Sequence, residues 1–170
     1  MDSFFFHPKL VHLPIGLALL MPFISAFLAL GWWRGWFTLR LWGLAVALQA
    51  LLVGSTYLAM EAGEEEEDRV EAFVSHDLIH EHEEAAEGFM ASSVVVLVLM
   101  GAGLGLGRRR GGLPLAAAGV LGAFISAGLA GRAGELGGEL VYRHGAASAY
   151  VGDGADAPGS SEGASTAATP

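Results

Sequence analysis

The chain has 170 residues, 53% of them apolar, a mean hydropathy of +0.50 and a formal net charge of −9. It contains no cysteine, which excludes disulfides, thiolate metal centres, iron–sulfur clusters and covalently attached haem. The negative charge argues against nucleic acid as a partner, and the length points to one domain.

Residues 1–10 form an aromatic, proline-containing approach to the first long apolar stretch. From Val11 to Leu30 the only polar side chains are Ser25 and His12. The segment ahead of it, Met1–Lys9, carries one Asp, one Lys, three consecutive Phe and a Pro. That is unlike the basic lead of a signal peptide, and the apolar run exceeds the roughly 7–15 residues of a signal core. A permanent helix is expected. The turn Gly31-Trp32-Trp33-Arg34-Gly35-Trp36-Phe37 then places Trp beside Gly and Arg, the composition of a membrane–water boundary.

The second stretch, Leu41–Met60, has only Gln49, Ser55, Thr56 and Tyr57 as polar side chains. It closes at Met60-Glu61-Ala62, with Gly63 before the acidic run Glu64–Asp68. Over 64–90 the pattern turns amphipathic. Leu78, Ile79, His82, Ala86 and Phe89 share one stripe at three- and four-residue spacing, and His76, His80, Glu83, Glu84 and Glu87 share the opposite one. His82 is the histidine out of place on the apolar side.

Two more spans follow, divided by the Arg108-Arg109-Arg110 turn. They are rich in small residues four apart (Gly101/Gly105, Gly103/Gly107, Ala127/Gly131), a spacing that permits close helix contact in lipid. Beyond Gly131 a polar extension of the fourth helix reaches Gly145, a plausible stop. The Ala-, Gly-, Ser- and Pro-rich remainder, 146–170, is expected to be disordered.

The four apolar stretches, at roughly 11–31, 41–60, 88–106 and 113–131, are each long enough to cross about 30 Å of hydrocarbon. The expected fold is therefore all-α: an integral membrane four-helix bundle over residues 1–145, with an amphipathic acidic helix between spans two and three and a polar cap at 61–87 and 132–145. Four spans put both termini on the same side as the long loop, so one face collects all 6 His and all 18 Asp and Glu. The opposite face has two short turns carrying Arg34, Arg40 and Arg108–Arg110, which are 5 of the 9 basic residues. The positive-inside rule makes those turns cytoplasmic. In a bacterium the bundle then sits in the inner membrane with termini and acidic cap outside.

That cap is where chemistry is expected. His7 and His12 open the first helix, Glu61 and Glu64 end the second, His82 and Glu83 lead into the third, and Glu135, Glu139 and His144 follow the fourth. An antiparallel bundle brings those four ends together, which is how bundles build metal and cofactor sites. Imidazole with carboxylate suits zinc, iron, copper or manganese, and two facing His suit a b-type haem. Tyr57 and Tyr142 extend the possibilities to redox or proton-transfer work. No nucleophile motif or phosphate loop is present, and His80-Glu81-His82-Glu83 lacks the spacing of a zinc-protease helix.

The segments His7-Pro8-Lys9-Leu10-Val11-His12-Leu13-Pro14-Ile15-Gly16, Gly63-Glu64-Glu65-Glu66-Glu67, His82-Glu83 and Gly137-Gly138-Glu139-Leu140-Val141-Tyr142-Arg143-His144-Gly145 resemble those of bacterial four-span membrane proteins, the domain of unknown function 2231 family. The resemblance covers roughly residues 5–150 and leaves out the tail. It implies an uncharacterised integral membrane protein, and the joining of some relatives to Rieske- or cytochrome-type domains implies electron transfer. Carried over by motif, its site residues are His7, His12, Glu64, His82, Glu139 and His144.

The functional expectation is a transition metal (Zn, Fe or Cu) or haem b at this outer face. His12 and His82 are the core ligands, His144 is a third, and Glu64 or Glu139 is a ligand or orienting group. The site would serve a membrane redox or metal-handling process, alongside a membrane or periplasmic redox protein, with self-association permitted by the glycine-rich faces. The alternatives are a proton, cation or small-solute transporter, which needs more polar residues deep in the membrane than Gln49 and Ser126, and a scaffold subunit with no cofactor. No enzymatic reaction is implied.

Overall fold

A computed structural model describes residues 11–65, 70–71, 74–109, 111–144 and 146. These contain four long helices: α1 (His12–Trp33), α2 (Leu39–Glu64), α3 (His76–Leu106) and α4 (Gly112–Tyr142). All four are long and apolar enough to cross a membrane. Their 22, 26, 31 and 31 residues correspond to about 33, 39, 46 and 46 Å at about 1.5 Å per residue. The α3–α4 hairpin thus overshoots the hydrocarbon, and the other two helices fit it more closely.

The helices pack in a closed ring, α1 on α2, α2 on α3, α3 on α4 and α4 back on α1, with α3 and α4 in the most extensive contact. Large apolar side chains face both ways. Met21, Leu28, Trp32, Trp42, Leu52, Phe89, Val96 and Met100 are buried in the core. Leu19, Leu20, Phe23, Phe27, Val95, Val98, Leu121 and Ile125 are exposed on the outside. A water-soluble bundle does not present such a surface, and lipid is its natural cover. This is why the spans lack an amphipathic period.

Small residues set the close approach. The buried stripe of α4 runs Ala116, Gly119, Ala123, Ser126, Ala130 and Ala133. A β-carbon at Gly103 would meet the Ala116 backbone nitrogen at 3.0 Å, and one at Gly119 would meet Met100 Cγ at 2.8 Å. Of the expected small pairs, Gly103 and Gly107 lie buried at this contact, whereas Gly101, Gly105 and Gly131 face open space. The contact follows α4's alanine stripe rather than the most conspicuous glycine pairs.

The first turn closes with a Schellman motif. Trp36 N–H donates to Gly31 C=O (2.8 Å) and Gly35 N–H to Trp32 C=O (3.1 Å). Gly35 takes φ 74°, which a side chain would resist. Phe37 folds back onto the space left by the missing side chain of Gly31.

One element boundary differs from expectation: the acidic amphipathic stretch is helical from His76, but it runs without a break into the third span instead of forming a separate helix. The fourth helix continues past Arg132 as far as Tyr142, as its polar extension led one to expect. The overhanging ends are held by a second small core of Val74, Ile79, Leu140 and Ala146, with Val70 and Leu78 against it. The acidic run at 66–68, the segment 1–10 with His7, and the tail from 147 lie outside the described residues.

Candidate functional site at the cap and the bundle core

The helices share a regular antiparallel register that places the cap residues. Between α3 and α4 it is marked by Met100 against Gly119, by Ser93 Oγ hydrogen-bonded to Ser126 Oγ at 2.8 Å, and by the His82 ring against Gly137. Between α2 and α3 the Trp42 indole N–H donates to Met100 C=O (3.0 Å), and seven residues on Gln49 Nε2 donates to Ser93 C=O (3.0 Å). Carried outward, this register sets Glu61 level with Glu81 and His82. Between α1 and α4, Ile15 lies against Gly134, so His12 comes level with Gly137. His12, Glu61 and His82 therefore share one layer around Gly137.

Within that layer His82 is half-buried, and its Cε1 would be 3.0 Å from a β-carbon at Gly137. His12 and Glu61 are exposed. The other expected ligands do not join the pair. Glu64 is a turn further out and exposed, and Glu139 is held in an ion pair with Arg143 at 2.6 Å. His144 is exposed beyond the end of α4, and His7 lies outside the described residues. Among the described residues no three His, Asp or Glu side chains come together closely enough to hold a metal ion. Tyr57 and Tyr142 are both exposed on outer faces, away from the bundle interior.

The polar stripe of α3 has its own arrangement. The His76 and His80 rings stack at 6.2 Å, 5° from parallel. His76 Nδ1 is 2.9 Å from Glu71 Oε1, and His80 lies 3.8 Å from Glu83 and 3.6 Å from Glu84. Arg132 of α4 reaches Glu81 of α3 at 3.9 Å. Beside this contact a cleft of about 210 Å³ is lined by Glu81, Glu84, Ala85, Gly88, Leu129 and Arg132.

Deeper in the bundle is a polar layer that reading the spans one at a time missed. Ser92 and Ser93 of α3 both reach the Ser126 hydroxyl of α4, at 3.0 and 2.8 Å, and Gln49 of α2 donates to the Ser93 carbonyl. Gln49, Ser93 and Ser126 are buried, and Gln49 Oε1 has no hydrogen-bond partner among the described residues. Ser25, Ser55 and Thr56 are buried too, their hydroxyls donating to carbonyls of their own helices. Counting from Ser93 to the end of α3 puts the layer about 20 Å from the arginine turns, near mid-membrane. Gln49 and Ser126 were each visible as isolated polar residues. The shared signal was the Ser92-Ser93 pair inside the apolar run of span three.

Below this layer the core is closed by Leu28, Trp32, Trp42, Met100 and Ala116, all buried. Trp32 and Trp42 pack with ring centres 5.9 Å apart. The half of the bundle towards the cap carries the polar layer and histidines, and the half towards the arginine turns carries aromatic and aliphatic packing.

The profile of a family described as predicted membrane protein (DUF2231) matches residues 4–149. No curated protein and no solved structure matches the chain.

Proposed function

We propose, for a chain that belongs to the DUF2231 family of predicted membrane proteins, that it works as an outer-face binding subunit: it takes up a transition-metal ion at its cap and does not pass solute through the bundle. The observation that carries this reading is the unequal make-up of the two halves. A conducting pathway needs polar groups or a hollow on both sides of the midplane, and here the inner half is filled by Trp32, Trp42, Met100 and Leu28. Ionisable side chains within membrane spans are costly and usually functional; His12 stands among apolar residues at a span end, and His82 on the apolar stripe leading into the third span.

His12 and His82 are the proposed metal contacts, because the register gives them one layer. Glu61 is the expected carboxylate level with that layer, Glu64 lies a turn further out, and His7 precedes His12 by five residues in the sequence. Two imidazoles completed by water or a carboxylate hold an ion exchangeably, which suits handling and transfer to a membrane or periplasmic partner. A b-type haem is a poorer fit: it needs two imidazoles facing one cavity, whereas the His82 ring is packed against Gly137 and His12 is exposed. The arginine-rich turns support a cytoplasmic assignment for the inner end, and hence an outward cap in the bacterial inner membrane.

The test is metal retention by protein purified in detergent. Wild type loaded with Co²⁺ or Zn²⁺ and desalted should keep near-stoichiometric metal, with a Co²⁺ visible spectrum that nitrogen ligation explains. His12→Ala and His82→Ala should each lower retention. Metal at background in the wild type overturns the proposal. So does proton or cation flux in proteoliposomes that His12→Ala abolishes.

A further inference from the structure

At the opposite end of the molecule, we propose that the α1–α4 seam is a binding site for an anionic glycerophospholipid, with an acyl chain in the seam and the phosphate at Arg34. The seam is a groove of about 310 Å³ lined by Ala29, Leu30 and Trp33 of α1 and by Leu113 and Ala117 of α4. It exists because two alanines stand where larger residues would close it. Every lining side chain is apolar, apart from the Trp33 indole N–H. The groove faces the lipid, so an acyl chain is the occupant its position selects.

The end of the groove selects the headgroup. Arg34 follows Trp33 directly, and its guanidinium lies 5.3 Å from the centre of the Trp33 ring and 5.6 Å from that of Trp36. The two indoles flank the arginine in sequence, and the Schellman closure at Gly35 turns the chain between Arg34 and Trp36. Cation–π contact holds the guanidinium in place but uses none of its five N–H donors. On the α4 side the groove begins just after Arg108 and Arg109, both exposed.

Among the described residues these cations have no counter-charge. The sequence contains no Asp or Glu between Asp2 and Glu61, or between Glu87 and Glu135. The ion pairs of Arg132 and Arg143 are at the other end of the bundle. An immobilised arginine at the interface, flanked by tryptophan and leading into an apolar channel, is complementary to a phosphodiester with an acyl tail. A zwitterionic lipid offers the same tail but brings its own cation. A second copy of this chain would bring the same arginines and repel them.

The tryptophans supply the readout. Trp32 and Trp42 are buried, whereas Trp33 and Trp36 are exposed, so chain-brominated lipid at the groove quenches the latter pair. Protein would be reconstituted in phosphatidylcholine vesicles carrying a small fraction of brominated phosphatidylglycerol or brominated phosphatidylcholine. Stronger quenching by the glycerol lipid is expected, with an apparent affinity falling about fivefold in Arg34→Gln. Ala117→Phe, which fills the groove and keeps every charge, should lower quenching by both lipids. Inorganic phosphate at equal concentration should not compete. Equal quenching by the two lipids, or no change in either variant, overturns the site. So does native mass spectrometry that shows a two-copy complex and no retained lipid. Helicity measured on each variant separates loss of the site from loss of the fold, and Arg34→Lys, keeping charge without the planar fork, should fall between wild type and Arg34→Gln.

Discussion

A β-carbon at Gly137 would sit 3.0 Å from His82 Cε1 and 3.4 Å from its Nδ1, whereas one at the neighbouring Gly138 would meet nothing within 4 Å. Both are helical glycines, and alanine in a helix is favoured by about 1 kcal/mol. Gly138→Ala should therefore raise the thermal midpoint in detergent or leave it unchanged. Gly137→Ala should lower it, because the gain is spent on moving the His82 ring, and retained metal should fall with it. If the two variants behave alike, His82 is not seated on Gly137. The polar layer gives a second pair of opposed expectations. Gln49 makes one hydrogen bond to Ser93, worth about 0.6 kcal/mol on average in membrane bundles, while its buried Oε1 has no partner among the described residues. A buried orphan acceptor costs about 1–3 kcal/mol. Gln49→Met, of similar length, should be neutral to stabilising when unfolding is followed in mixed detergent micelles, and Gln49→Ala should cost about 2 kcal/mol for the cavity it leaves. At this scale the sequence singled out His12 and His82 by their apolar neighbours, and the helix register sets the two level. Glu139 and His144 were marked by motif and by their place after the fourth span, and Tyr57 and Tyr142 by residue type; their directions depend on helix phase at the ends, which none of these signals fixes.

The α3–α4 hairpin extends beyond α1 and α2, and its overhang is held by the Val74, Ile79, Leu140 and Ala146 cluster, not by the membrane core. Removing large side chains there should loosen the cap alone. Ile79→Ala or Leu140→Ala, each at most about 2–5 kcal/mol because the cluster lies near helix ends, should speed hydrogen exchange over 76–80 and 138–142. Exchange around Met100 and Ala116 should stay slow. Faster exchange throughout would mean that cap and bundle unfold as one unit. Apolar run length made all four helices legible, since a span must satisfy its own backbone and has few alternatives. The separate acidic helix was harder to place. An amphipathic stretch followed directly by an apolar one, with Gly88 at the junction, reads as two elements, although no proline intervenes and the helix runs through Gly88.

For the whole molecule the decisive quantity is the sign of each end, because it assigns the cap to one compartment and the lipid groove to one leaflet. In the sequence Arg34, Arg40 and Arg108–Arg110 lie in or beside the two short connections, against Lys9, Arg69, Arg132 and Arg143 elsewhere in the chain. Acidic residues contribute little to topology, so the 18 carboxylates on the cap side do not decide it, and the bias rests on five arginines close to span ends. The absence of cysteine makes this directly measurable, since any cysteine introduced is the sole thiol. Thr38 and Glu84 are exposed at opposite ends of the bundle, and replacing either leaves every arginine in place. In intact spheroplasts a membrane-impermeant maleimide should label Glu84→Cys, and should reach Thr38→Cys only after permeabilisation. The reverse pattern would move the histidine layer to the cytoplasm and the Arg34 groove to the outer leaflet, leaving both sites intact but changing what each can meet. Labelling of both positions in intact cells would mean that five arginines are too few to choose a side. In that case, replacing Arg108–Arg110 with serine should leave the pattern unchanged, whereas under the orientation argued from those arginines it should scramble it.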